Sequence, residues 1–306
     1  MRILRIICFL LMLSKMVLAQ NHDINQYYIF NYLAINPAFA GSSKALSATL
    51  IYRNQWVGFS DAPTTNSVTI HSPLRKQKMG IGLNIISDNI NVSNETSIMG
   101  NYAYYVDFKN STLALGLGVG LRLRNTKWTE LEANDIDDYL IQSNSPTYIN
   151  PDVSLGVYYT RGNYHLGFSI PYLLNHEFDS TKDKYVVRND SKYYQYLISG
   201  DYSYQINSKS SVLLGSLITL NQTDKINVIS NFRFTYLEKY AIGLAYDSEQ
   251  CVYKSILHVQ LNRQLTLGYS LDINNNAISK YQNVSHEFML RYNFGYVIKV
   301  SSPRNF

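Results

Sequence analysis

Charge is what this sequence has least of. Only 16% of its 306 residues are charged, whereas a soluble globular domain carries about a quarter. Long apolar runs are also missing. Beyond the N-terminal leader no stretch of about 18 apolar residues occurs. The mean hydropathy is −0.16, which argues against a helical membrane protein. Cysteine is nearly absent, with only Cys8 and Cys251. Loss of Cys8 with a cleaved leader would leave no internal disulfide and no thiol cluster for zinc. The six histidines are dispersed, without an H-E-x-x-H pair or a spaced Cys/His set. No catalytic residue, no metal site and no cofactor is therefore expected.

Residues 1–19 read as a signal peptide. Arg2 and Arg5 form a positive start, Ile6 to Leu13 an apolar run, and Ala19 a small residue before Gln20. The competing reading is a signal anchor, against which the short run and the interrupting Lys15 argue. Cys8 lies too early for a lipoprotein. Without Arg2, Arg5 and Lys15 the net charge falls from +5 to +2, so no electrostatic footprint for nucleic acid remains.

What is abundant is tyrosine, at 27 positions, with 12 phenylalanines, and strict alternation. From Thr112 to Arg124, Leu113, Leu115, Leu117, Val119, Leu121 and Leu123 share one parity. Ala114, Gly116, Gly118, Gly120, Arg122 and Arg124 share the other. A helix would smear leucine around its circumference; a strand sorts it onto one face. The three glycines recur at period two within a strand and are expected to make room inside a barrel, not to cradle phosphate.

The same test predicts fourteen strands, near 45–53, 64–72, 79–88, 95–108, 111–124, 151–161, 163–171, 190–206, 210–222, 225–237, 239–248, 251–261, 263–273 and 285–296. Loops after odd strands, such as 54–63, 125–150, 172–189 and 274–284, are mostly long, and those after even strands are short. Long outside and short inside is the signature of a transmembrane antiparallel β-barrel with both termini in the periplasm. Tyr102, Tyr104, Tyr194, Tyr196, Tyr202 and Tyr204 fall on apolar faces near strand ends, where a ring suits the lipid–water boundary. The expected layout is an export signal (1–19), a periplasmic or plug segment (20–44), an all-β outer-membrane barrel (45–296) and a tail (297–306).

Several segments depart from alternation. Residues 26–41 read Gln-Tyr-Tyr-Ile-Phe-Asn-Tyr-Leu-Ala-Ile-Asn-Pro-Ala-Phe-Ala-Gly. Tyr52-Arg53-Asn54-Gln55-Trp56-Val57-Gly58-Phe59, Ala62-Pro63-Thr64-Thr65 and Ser72-Pro73-Leu74 follow, and Ser285-His286-Glu287-Phe288-Met289-Leu290-Arg291-Tyr292 closes the series. This order resembles the PorP/SprF family of type IX secretion system membrane proteins from Bacteroidota. The resemblance implies a non-enzymatic barrel of the cell outer membrane that supports secretion or surface attachment of large adhesins. Its implied partners are a secreted adhesin or other cargo, components of the secretion machinery, and outer-membrane lipid. One departure is the loop before the sixth strand. It carries Glu130, Glu132, Asp135, Asp137 and Asp138 in place of an Asp-Pro-Ala-Phe-like stretch, so cargo identity does not transfer. That stretch lacks the EF-hand pattern and is expected to be a solvated loop.

The residues themselves nominate positions. Asn36-Pro37 favours an extended or turning backbone, and Gly41 permits a sharp entry into strand one. The cluster Tyr27, Tyr28, Ile29, Phe30, Tyr32, Leu33, Ile35 and Phe39 needs cover, and the barrel's mouth is nearest. Parity puts Arg53, Arg122, Arg124, Lys254, Asp88, Asp272 and Glu287 on the lumen side, with Arg53 and Asp88 two strands or roughly 10 Å apart. An ion pair between them would brace the loop carrying Trp56 and Phe59; the alternative is two independent solvated charges. His286 and Glu287, as strand neighbours, point to opposite faces. Two other functions compete: a transporter of hydrophobic ligands or porin, resembling fourteen-stranded fatty-acid channels that also hold an N-terminal segment, and an outer-membrane hydrolase.

Overall fold

Alternation along the chain becomes a wall with two unlike sides. In the computed structural model that wall is a closed antiparallel barrel of fourteen strands. The structure describes residues 28–295 except 44, 60, 75–77, 132–142, 180, 182–183, 189, 222–225 and 276–283. The expected signal peptide, residues 20–27, the tail 297–306 and most of the acidic stretch 130–138 lie outside the described residues.

The barrel begins with β1 (Leu46–Asn54), β2 (Thr64–Pro73), β3 (Met79–Ile90), β4 (Ser93–Asp107), β5 (Thr112–Thr126), β6 (Tyr148–Arg161) and β7 (Tyr164–Ile170). A separate hairpin follows, β8 (Asn175–Asp179) with β9 (Lys184–Arg188). The wall resumes with β10 (Tyr196–Asn207), β11 (Ser210–Leu220), β12 (Ile226–Tyr236) and β13 (Tyr240–Asp247). It ends with β14 (Val252–Gln260), β15 (Leu265–Asn274) and β16 (Val284–Phe294). Each wall strand pairs with its sequence neighbours, and β1 pairs with β16 from Leu46↔Phe294 to Asn54↔His286. Closure leaves no strand edge, as a bilayer requires.

The parity rule holds on β5. Leu115, Leu117, Val119 and Leu121 are 45–57% exposed on the outer face, whereas Ala114 and Arg122 are buried toward the lumen. An apolar exterior of this kind needs bilayer hydrocarbon around it. No helix among the described residues is long and apolar enough to cross a membrane.

Two details differ from the sequence expectation. The loop 172–189 contains the β8–β9 hairpin, packed by Phe178 and Tyr185 against Tyr148 with ring centroids 5.2–5.6 Å apart. The eighth wall strand starts at Tyr196, not near residue 190. There the Asp190 carboxylate accepts from the Lys192 amide at 3.0 Å and caps a 3-10 turn, Ser191–Tyr193. This local bond competes with the ladder, so Tyr194 precedes the strand and takes no place on its apolar face.

Candidate functional site

The interior is occupied from below by the chain's own N-terminal segment. Residues 28–43 run inside the barrel through α1 (Tyr32–Ile35) and a 3-10 turn, Pro37–Phe39. Both turns are short and locally capped. Asn31 Oδ1 accepts from the Ala34 amide at 3.3 Å, and Asn36 Oδ1 from the Ala38 amide at 2.9 Å. Pro37 sits in the first turn, where its missing N–H costs nothing.

The wall reciprocates with glycine. A Cβ on Gly116 would overlap the backbone of Pro37 and Ala38, and one on Gly156 would overlap Asn36. Gly80 meets Ala40 and Gly41 in the same way, and Gly41 itself has φ +80°. Gly118 and Gly120 do something else: they lie against Ser154 and Asn101, and against Ile98 and Met99. Of the three β5 glycines, only Gly116 makes room for the segment.

Polar tethers hold the segment to strands around the circumference. Asn31 Nδ2 donates to Thr69 Oγ1 at 2.6 Å, and Asn36 Nδ2 to the Val157 carbonyl at 3.1 Å. Ser169 donates to the Ile35 carbonyl and Tyr105 to the Ala40 carbonyl, each at 2.6 Å. Arg291 Nη2 donates to the Phe30 carbonyl at 2.7 Å, Tyr28 to Asp201 at 2.8 Å, and the Tyr32 and Ser199 hydroxyls bond each other. Burial, and then the Asp201 carboxylate, raise the Tyr28 pKa, so its hydroxyl remains a donor. Phe39 packs on Tyr32 and Tyr158 at 5.0 and 5.7 Å, and Phe30 stacks on His258 at 5.1 Å. The cavity left beside α1, toward β3–β6, has about 10 Å³, room for about one water.

Above this segment lies a belt of buried charge. Arg53 on β1 binds Glu287 on β16 (Nη1–Oε2 2.8 Å) and Asp272 on β15 (Nη2–Oδ2 2.7 Å). Lys254 on β14 reaches the same Asp272 oxygen at 2.8 Å. Arg122 pairs with Asp152, and Arg124 with Glu95. The Arg122 guanidinium also lies 4.1 Å over the Tyr172 ring, and burial pushes the Tyr172 hydroxyl pKa up to about 12. Two carboxylates against two cations in one cluster satisfy most of the buried polar atoms, the condition for tolerating such a network.

The candidate Arg53–Asp88 pair does not form. Asp88 instead accepts from Thr65 Oγ1 on β2, the residue directly across from Arg53. Arg53 turns the other way because its partner on β16 is one strand off, whereas β3 is two.

The loop after β1 is tied to the same seam. The Trp56 amide donates to Ser285 Oγ at 3.2 Å and the Val57 amide to the Val284 carbonyl at 3.0 Å. Trp56 has φ +48°, an uncommon conformation for a bulky residue, and Phe59 is 58% exposed at the loop tip. His286 Nδ1 meets the Tyr269 hydroxyl at 2.7 Å on the outer face, opposite Glu287. The structure thus brings Arg53 together with Glu287, and Asn36 and Pro37 with the wall glycines. It keeps Asp88 and His286 apart from that network. Parity had placed Asp272 and Lys254 on the lumen side without joining them to Arg53. Glu95 escaped notice at a strand boundary, and Tyr172 in a loop. Among the described residues no three His, Cys, Asp or Glu side chains cluster as metal ligands.

Barrel geometry alone does not name a function, so sequence must decide. The sequence profile of the type IX secretion system membrane protein PorP/SprF matches residues 17–292. The chain belongs to the PorP/SprF family. No curated protein matches it. Among solved structures it is similar to the toluene transporter TbuX of Ralstonia pickettii, with 12% identity and a TM-score of 0.51 over 85% of this chain and 92% of that one. It is also similar to the monoaromatic hydrocarbon channel CymD, with 9% identity and a TM-score of 0.50 over 92% and 95%. At such identities the likeness concerns the fold alone. This PorP/SprF chain is an outer-membrane β-barrel of the type IX secretion system, and its partners include that machinery.

Proposed function

We propose that this barrel is a non-enzymatic scaffold of the type IX system, with a closed lumen and an outer loop surface that engages a secreted partner such as a large adhesin. Secretion or surface attachment of that partner is its task. The observation that carries the reading is an interior spent on self-contacts. Residues 28–43 occupy the lower lumen through seven named tethers to the wall, and buried ion pairs between neighbouring wall strands line the upper lumen. A wall that spends its interior on self-contacts has its loops left for recognition. The loop after β1, fixed to β16 and exposing Phe59, is the first candidate contact.

A transporter of hydrophobic ligands is the second reading, favoured by the fold shared with TbuX and CymD. Affinity purification from detergent separates the two. Specific co-purification of a large type IX surface protein, with no uptake of monoaromatic or fatty-acid ligands in liposomes, supports the scaffold. Ligand uptake without a bound surface protein supports the transporter.

A further inference from the structure

Every one of the six inner turns of the wall carries a cation. Lys78 precedes β3, Lys109 joins β4 to β5, Arg161 ends β6, Lys209 joins β10 to β11, Lys239 precedes β13 and Arg263 joins β14 to β15. All six are exposed, and among the described residues none forms an ion pair. Among the described residues, only Asp107 and Glu238 oppose them at that rim. Just above the cations the outer face is aromatic. Phe108, Tyr164, Tyr204, Tyr236, Tyr240 and Phe294 are all exposed there, within five residues of a turn cation or at the end of β16. Outward aromatic rings mark the boundary between hydrocarbon and headgroups. The cations therefore lie at the depth of the phosphates of the inner leaflet.

We infer that this ring binds anionic phospholipid headgroups of the inner leaflet, fixing the depth of the barrel. Its distribution selects lipid over protein. A protein partner covers one sector of a rim, whereas these charges are spaced around the whole circumference, as an annulus of lipid is. The inference rests on the barrel's orientation and not on the identity of any cargo.

The test uses the full chain purified in detergent and offered equal amounts of phosphatidylglycerol and phosphatidylethanolamine, with retained lipid counted by native mass spectrometry. Wild type should retain phosphatidylglycerol preferentially. The variant K109Q/R161Q/K209Q/R263Q should lose that preference about tenfold or more, while the outer-loop control K184Q/K192Q keeps it. Heat-modifiable gel mobility verifies that each barrel is folded. Screening should also erase the wild-type preference at about 1 M salt; its persistence there overturns the inference whatever the variant does. Equal retention of both lipids by wild type overturns it as well. If the quadruple variant keeps its lipid preference but loses the secretion machinery on purification from cells, the ring is a protein contact and the inference falls.

Discussion

Arg53 and Glu287 face each other across the seam that closes the barrel, 2.8 Å apart, on the first and last strands. The pair is buried and shares Arg53 with Asp272. Breaking it leaves an uncompensated charge in the lumen, which costs about 3–5 kcal/mol. Arg53→Ala and Glu287→Gln should each lower resistance to denaturant in urea-titrated gel mobility. The double variant should be little worse than the more damaging single, because members of one network do not add. Additive losses would remove the pair from the account.

Asp88→Ala serves as the contrast. It bonds Thr65 and not Arg53, so its effect should add to that of Arg53→Ala. Coupling between Arg53 and Asp88 in the same titration would restore the pairing that parity alone suggested.

The two parities of the wall predict two kinds of damage. Leu117→Arg and Leu267→Arg place a charge in hydrocarbon and should cost about 2–4 kcal/mol near the midplane. Gly116→Val instead drives a side chain into the backbone at Pro37–Ala38. That variant should assemble and loosen the inserted segment, read as raised trypsin sensitivity near residue 36. Equal behaviour at both parities would contradict the assigned faces.

Deleting residues 21–36 should leave an assembled barrel with higher conductance in planar bilayers. Asn36→Ala should do so partially, since it removes the donor to Val157 and the cap on Ala38, a loss of about 1–3 kcal/mol for a buried polar group. Recordings that stay closed after the deletion would show that other elements seal the lumen.

These outcomes separate what a single sequence can state from what it cannot. Period-two patterning located all fourteen wall strands because each side chain must choose lipid or lumen, and that choice repeats every second residue. Parity also put Arg53, Asp88, Asp272 and Glu287 on one face. It could not choose among the partners, because face is a property of one strand and pairing is a property of register between strands. The deciding register joins β1 to β16, the two strands farthest apart in sequence. The β8–β9 hairpin was missed for a related reason: five-residue strands give too few alternations to stand out from a loop. The aromatic cluster at Tyr28–Phe39 was visible, but the glycines that the segment packs against lie scattered over β3, β5, β6, β7, β11 and β15.

The most direct measurement is complementation of a deletion strain, scoring type IX cargo at the cell surface, with wild type, Phe59→Ser and Arg53→Ala expressed at equal barrel abundance. Loss of surface cargo in the deletion, rescue by wild type, and weak rescue by both variants is the expected result. Full surface cargo in the deletion strain, together with ligand uptake by the purified barrel in liposomes, would contradict the scaffold and leave a transporter.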